Sequence, residues 1–185
     1  TATVSIGSEV KLSQDWSIEA WINIDDEQGI GDGNAIISFD DGDAGVAEQE
    51  TAIGTHNVAG STEILVCYNS CSPDPADNER RHTTSVALGN NKWYHVAVTH
   101  DKSDTQIDIW VDGIRILEDG GLNIGGEPTG TTLVRFGNTD MEQMTDFDGT
   151  IDGVRMVDYQ RFAFGGLMIA QINLNDDTVR MYNAH

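Results

Sequence analysis

Asp15-Trp-Ser-Ile-Glu-Ala-Trp-Ile-Asn-Ile-Asp25 is the stretch whose pattern decides the fold. Ile18, Ala20, Ile22 and Ile24 fall on one side of an extended chain and Ser17, Glu19, Trp21 and Asn23 on the other. That period of two marks a half-buried strand. Trp21 keeps the second side from being wholly wet.

Working outward, the same short runs, bounded by Gly, Asn or Asp, predict further strands. They lie at Ala35–Asp40, Glu50–His56, Glu63–Tyr68, Arg81–Leu88, Lys92–His100, Gln106–Val111, Ile114–Leu117, Thr131–Gly137, Gly149–Val157 and Asp177–Tyr182. Asp112-Gly113, set between two apolar runs, supplies the positive φ of a two-residue hairpin turn. Only Asp158–Leu174 interrupts the pattern, and its Gly165-Gly166 pair argues against one continuous helix. A loop with at most a turn of helix is expected there. About ten short strands with regular turn signals point to an all-β sandwich or closed barrel, not to alternating βαβ units. The loops Asp25–Asn34, Asp40–Gln49 and Ser70–Asn78 are too short for linkers and belong at the sheet rims, where binding usually resides.

A chain of 185 residues, 38% of them apolar, fits one domain spanning residues 1–185. No apolar run reaches the ~20 residues of a spanning helix, so direct membrane insertion is not expected. With 31 acidic against 10 basic residues the net charge is −21. Such a surface repels phosphate backbones and anionic lipid, which excludes nucleic acid as a partner and favours cations. Salt-adapted surroundings and bound divalent metal both explain the charge; salt is preferred for the bulk of it, because the acids are spread along the whole chain.

Cys67 and Cys71 stand in Cys-Tyr-Asn-Ser-Cys. The simplest reading is one structural disulfide in an oxidising compartment, against two free thiols. The spacing is one residue too long for a redox Cys-x-x-Cys. The start, Thr1-Ala-Thr-Val-Ser-Ile, has no signal-peptide pattern and is read as a processed or excised start.

Three segments carry a family resemblance. Asp15-Trp-Ser-Ile-Glu-Ala-Trp-Ile is one; Lys92-Trp-Tyr-His-Val-Ala-Val-Thr-His-Asp, followed by Ile109-Trp-Val-Asp-Gly, is the second; Phe147-Asp-Gly-Thr-Ile-Asp-Gly-Val-Arg-Met is the third. In this order and spacing they are similar to the laminin-G-like, pentraxin-related superfamily of concanavalin A-like jelly rolls. The resemblance implies a two-sheet antiparallel sandwich. Trp93 and Trp21 are then expected as large apolar fillers, and His95 as a core or sheet-face histidine rather than a ligand.

Resemblance to the pentraxin branch implies a calcium site between Glu48 or Glu50 and Asn138 with Asp140, closed by Asp146 and Asp148. Resemblance to the glucanase branch implies instead Asp152 with the loop Gly31-Asp-Gly-Asn34. For a glycan, the physics asks for an aromatic plane beside planar hydrogen-bonding groups. Tyr68, Tyr94 and Trp110 with Asn69 and Asn138 are the candidates, and packing is the competing role for Tyr94 and Trp110.

Catalysis has little support. The Glu-x-Asp-x-Glu strand pattern of retaining glucanases is missing, and Glu48-Gln-Glu50 supplies only part of it. There is no Gly-x-Ser-x-Gly, no His-Glu-x-x-His and no phosphate loop. The expected function is an extracellular or cell-surface recognition module, not an enzyme, that binds a glycan or surface protein, with calcium as the candidate cofactor. A structural, decoration or adhesion subunit of a virion or surface fibre, partnered by other subunits of that assembly, is the alternative; Val154–Phe164 resembles the corresponding segment of phage structural proteins with this domain. A glycoside hydrolase or polysaccharide lyase ranks third.

Overall fold

Strand β2 (Trp16–Ile24) carries out the alternation that its sequence prescribes. In the computed structural model, Trp16, Ile18, Ala20, Ile22 and Ile24 are all buried, whereas Glu19, Trp21 and Asn23 are half-buried on the opposite side. The structure describes residues 2–5, 14–25, 33–40, 50–58, 60–69, 80–82, 86–103, 106–119, 133–138, 144–159, 168–172 and 179–183. Within them β2 is preceded by β1 (Ala2–Ser5) and followed by β3 (Gly33–Asp40), β4 (Glu50–Val58), β5 (Ser61–Asn69), β6 (Arg80–His82), β7 (Trp93–Asp101) and β8 (Gln106–Val111). Then come β9 (Ile114–Asp119), β10 (Leu133–Phe136), β11 (Met144–Asp146), β12 (Gly149–Val157), β13 (Met168–Ile172) and β14 (Val179–Asn183). There is no helix among the described residues.

Two sheets result. One has seven strands in the order β1-β10-β3-β4-β5-β6, with β11 added to β3; the other has five, β12-β2-β7-β8-β9. Their inward faces meet in a single core. Ile37, Phe39, Ile53, Ile64 and Val66 come from the larger sheet, and Ile18, Ile22, Val96, Val98, Ile107 and Ile109 from the smaller. A void of about 10 Å³ lies between Ile18, Ile37, Ile53 and Val96. The expected sandwich of concanavalin A-like type is therefore present.

Local details follow from the turn residues. Asp112 and Gly113 take φ values of 50° and 78°, the left-handed pair that a two-residue hairpin between β8 and β9 requires. Edge strand β12 carries a bulge between Asp152 and Arg155, with Gly153 at φ 60°, a device that blunts a sheet edge.

The structure differs from the sequence expectation in four places. Strand β11 runs parallel to β3, sharing with antiparallel β10 the same edge of that strand. Strands β1 and β11, of four and three residues, are too short to show a period. The segment expected as a loop contains β13, which pairs with β14 from Met168↔Asn183 to Ile172↔Val179; the pairing strand, not local glycine content, decides it. Of the strand expected over Arg81–Leu88, the described residues show β6 and an isolated bridge by which Leu88 reaches Thr62 of β5, residues 83–85 lying outside the described residues.

His100 closes one end of the core. It is 3% exposed, its ring stacks on Trp16 at 5.7 Å, and its Nδ1–H donates to the Gln14 carbonyl at 2.6 Å. Burial pulls its pKa below the usual histidine range, against the opposing pull of that hydrogen bond and of Asp15 and Asp101. The folded state then binds a proton less readily than the unfolded chain, so stability is complete above about pH 6.5 and is lost as pH falls. Urea unfolding at neutral and mildly acidic pH should show this loss shrinking in His100→Gln; an identical loss in variant and wild type would remove His100 from the account.

Candidate functional site

Period-two geometry gives each sheet one outward face, and the two faces differ in chemistry. On the seven-stranded sheet the outward residues Ala35, Ala52, Leu65 and Cys67 are fully buried and cluster with Met144 of β11. Glu63 lies on the same face opposite His56, is 6% exposed, and its Oε2 has no hydrogen-bond partner. Burial raises the pKa of that carboxyl. This face is largely closed.

The outward face of the five-stranded sheet carries the aromatics; Ser17, Ala97, Thr99 and Asp108 on it are buried, and Trp93 is exposed. Because Val96 and Val98 of β7 point inward, Trp93 and His95 point outward, and the same parity turns out Trp21 from β2 and Trp110 from β8. One row across the sheet reads Asp152, Trp21, His95; the next reads Arg155, Glu19, Ala97, Trp110, Arg115. The Trp21 and His95 rings lie 5.2 Å apart at 56°, and His95 Nε2 stands 3.3 Å from Glu19 Oε2. The backbone N–H of His95 donates to Asp112 Oδ1 at 2.9 Å, which ties the strand to the β8–β9 turn. Trp93 is 42% exposed beside this group. Buried Asp108 accepts from Gln106 Nε2 at 2.9 Å and faces Arg115 Nη1 at 3.7 Å, bracing the neighbouring strands.

Such an arrangement offers flat apolar planes bordered by carboxylate, imidazole and guanidinium groups. Those are the two components a hydroxylated ring needs, stacking for its C–H face and hydrogen bonds for its edge.

The residues nominated from sequence are scattered. Trp110 stands on the aromatic face. Tyr94 is corrected: it points inward, is 6% exposed, its hydroxyl accepts from Gly89 N–H at 2.7 Å, and Lys92 Nζ sits 4.6 Å over its ring. It packs the core and offers no plane to a ligand. Trp21 and Trp93 are corrected in the opposite sense, since both belong to the outward face and neither fills the core. His95 is a sheet-face histidine, as expected. Tyr68 and Asn69 end β5, paired with Thr51 and Glu50; their side chains lie outside the described residues.

Of the first metal set, Glu48 and Asp140 lie outside the described residues, Glu50 begins β4, and the Asn138 carbonyl accepts from Ser38 Oγ at 3.0 Å. Of the second set, Gly31 and Asp32 lie outside the described residues. Asp152 stands exposed opposite Trp21, its Oδ1 taking the Gly153 N–H at 2.7 Å, while Asn34 belongs to the other sheet and donates to Thr145 Oγ1 and the Asp146 carbonyl. Among the described residues no group of three or more His, Cys, Asp or Glu is placed to hold a metal ion. Cys67 is buried and disulfide-bonded, and Cys71 lies outside the described residues.

Fold and face together define a β-sandwich whose five-stranded sheet carries aromatics on its outward side. Residues 1–163 match a family model described as the concanavalin A-like lectin/glucanases superfamily, and the chain belongs to that family. Among solved structures, it is similar to a Bacteroides ovatus protein provisionally assigned to carbohydrate binding (19% identity, TM-score 0.60, 86% of this chain and 42% of that one). It is similar to the heptameric SAP-like pentraxin of Limulus polyphemus (12%, 0.57, 80% and 66%) and to the CBM40 domain of the Ruminococcus gnavus IT-sialidase (18%, 0.58, 84% and 89%). The chain thus spans less than half of the first of these and nearly all of the third. At such identities the likeness is one of fold. A search of curated protein sequences finds no match.

Proposed function

We propose that this domain is an extracellular glycan-recognition module whose ligand lies across the outward face of the five-stranded sheet, and that it binds without catalysing a reaction. The observation that carries the reading is Trp93, standing 42% exposed next to the Trp21–His95–Glu19 group. A large aromatic left in water on a face that already holds two more tryptophans costs stability unless something covers it. Two further points support it: the R. gnavus CBM40 domain of the same fold has been solved with α2,3-sialyllactose, and the disulfide-bonded Cys67 suits an oxidising compartment. Calcium, held by Glu48, Glu50, Asn138 and Asp140, is proposed as an accessory at the sheet rim and not as part of this face.

A glycan array followed by calorimetry, with calcium and with chelator, tests this. Trp93→Ala should weaken binding roughly tenfold, the equivalent of one stacked aromatic, ~1.4 kcal/mol. Circular dichroism should be unchanged, because Trp93 is not in the core. Binding to no glycan under either condition would end the proposal; binding that ignores Trp93 would move the site elsewhere.

A further inference from the structure

We infer that the aromatic face takes uncharged oligosaccharides and turns away glycans bearing carboxylate or sulfate groups, an inference that rests on the glycan-binding reading above. Length comes from register. Trp21 is opposite His95 and Trp110 is opposite Ala97, two residues further along β7. Two strand spacings and one two-residue step separate the rings' backbone positions by about 12 Å. Trp93 lies two residues from His95 on the other side, opposite Asn23. Three planes so spread cannot serve a single sugar ring together, but they can follow a chain of sugars crossing β2, β7 and β8.

Charge sets the class. The described cations on or beside the face are few, and two of them are paired with carboxylates. Arg115 faces buried Asp108 at 3.7 Å, His95 faces Glu19 at 3.3 Å, Arg155 lies in register with Glu19, and Lys92 sits over the Tyr94 ring. Asp152 and Asp112 add exposed carboxylates. An acidic sugar would have to approach these carboxylates on a chain of net charge −21. Bidentate guanidinium contacts are what carboxylate recognition ordinarily uses. A neutral chain loses nothing in that field, and its hydroxyls can donate to the carboxylates and accept from His95 and Arg155.

Calorimetry on the whole chain separates the alternatives. The neutral probes are cellohexaose, xylohexaose and N-acetylchitohexaose with their monosaccharides; the acidic ones are 3′-sialyllactose, trigalacturonate and a heparin hexasaccharide, each at low and high salt. The expected result is Trp93-dependent binding of at least one neutral hexasaccharide, at least tenfold tighter than its monosaccharide and insensitive to salt, with no Trp93-dependent binding of an acidic probe at low salt. Acidic binding that disappears in Trp93→Ala, or equal affinity for monosaccharide and hexasaccharide, overturns this inference and leaves the glycan reading standing. Failure of every probe overturns both.

Discussion

Phe39→Ala is expected to lower the free energy of unfolding by about 3–5 kcal/mol, the range for emptying a large aromatic site in a packed core. Phe39 is 1% exposed on the inward side of β3, between Thr51 of β4 and Val134 of β10, and it packs into the cluster that joins the two sheets. The strands on either side are held by full ladders, so they cannot collapse into the space, and the cavity adds to the lost transfer energy. Against a total stability of about 5–15 kcal/mol the variant should be near the limit of folding, with a midpoint roughly 6–20 °C lower. Ile114→Ala is the control. Ile114 is 67% exposed at the hairpin tip, and its loss should stay within about 0.5 kcal/mol. Urea titrations with unchanged m-values would report both; a cost below about 1 kcal/mol at Phe39 would mean that the two sheets do not share the core described.

How far the sequence discloses this depends on whether a feature repeats. β2, β7 and β8 each run six to nine residues, long enough for parity to declare which side is buried, and Asp112-Gly113 declares its own turn. Parity also held the information that Trp93 and Trp21 face outward: Trp93 shares its side with His95, and Trp21 with Glu19. The expectation that they fill the core came from weighing a tryptophan's size above its position. For Tyr94, nominated as a ligand plane with packing as the competing role, parity with Val96 and Val98 decides for packing. What parity cannot reveal is which strand lies beside which. The Glu19–His95 contact, the parallel pairing of β11 and the β13–β14 ladder all join segments whose local sequences are silent about each other.

Gly54→Ala reverses an ordinary sign. In most strands replacing glycine with alanine gains about 0.4–1 kcal/mol, because the unfolded chain loses freedom. Gly54 pairs with Ala35 beside the irregularity between Ala35 and Ile37, and there β3 comes unusually close. A Cβ at Gly54 would overlap the Asn34 carbonyl oxygen, lie 3.0 Å from its carbonyl carbon, and lie 2.8 Å from Met144 Cε. The methionine can swing aside. The carbonyl cannot, because Asn34 is pinned by its side chain to Thr145 and to the Asp146 backbone, and moving it would pull β3 from β4 and β11 at once. Overpacking of this kind costs about 1–3 kcal/mol, which exceeds the entropic gain. Gly89→Ala makes the comparison, for there the added Cβ would stand 3.5 Å from the Tyr94 hydroxyl, an ordinary contact. Denaturant unfolding should place Gly89→Ala at or slightly above wild type and Gly54→Ala well below it. Two variants moving in the same direction would show that β3 and β4 do not approach as closely as described, and with that the closed character of the seven-stranded face would have to be given up.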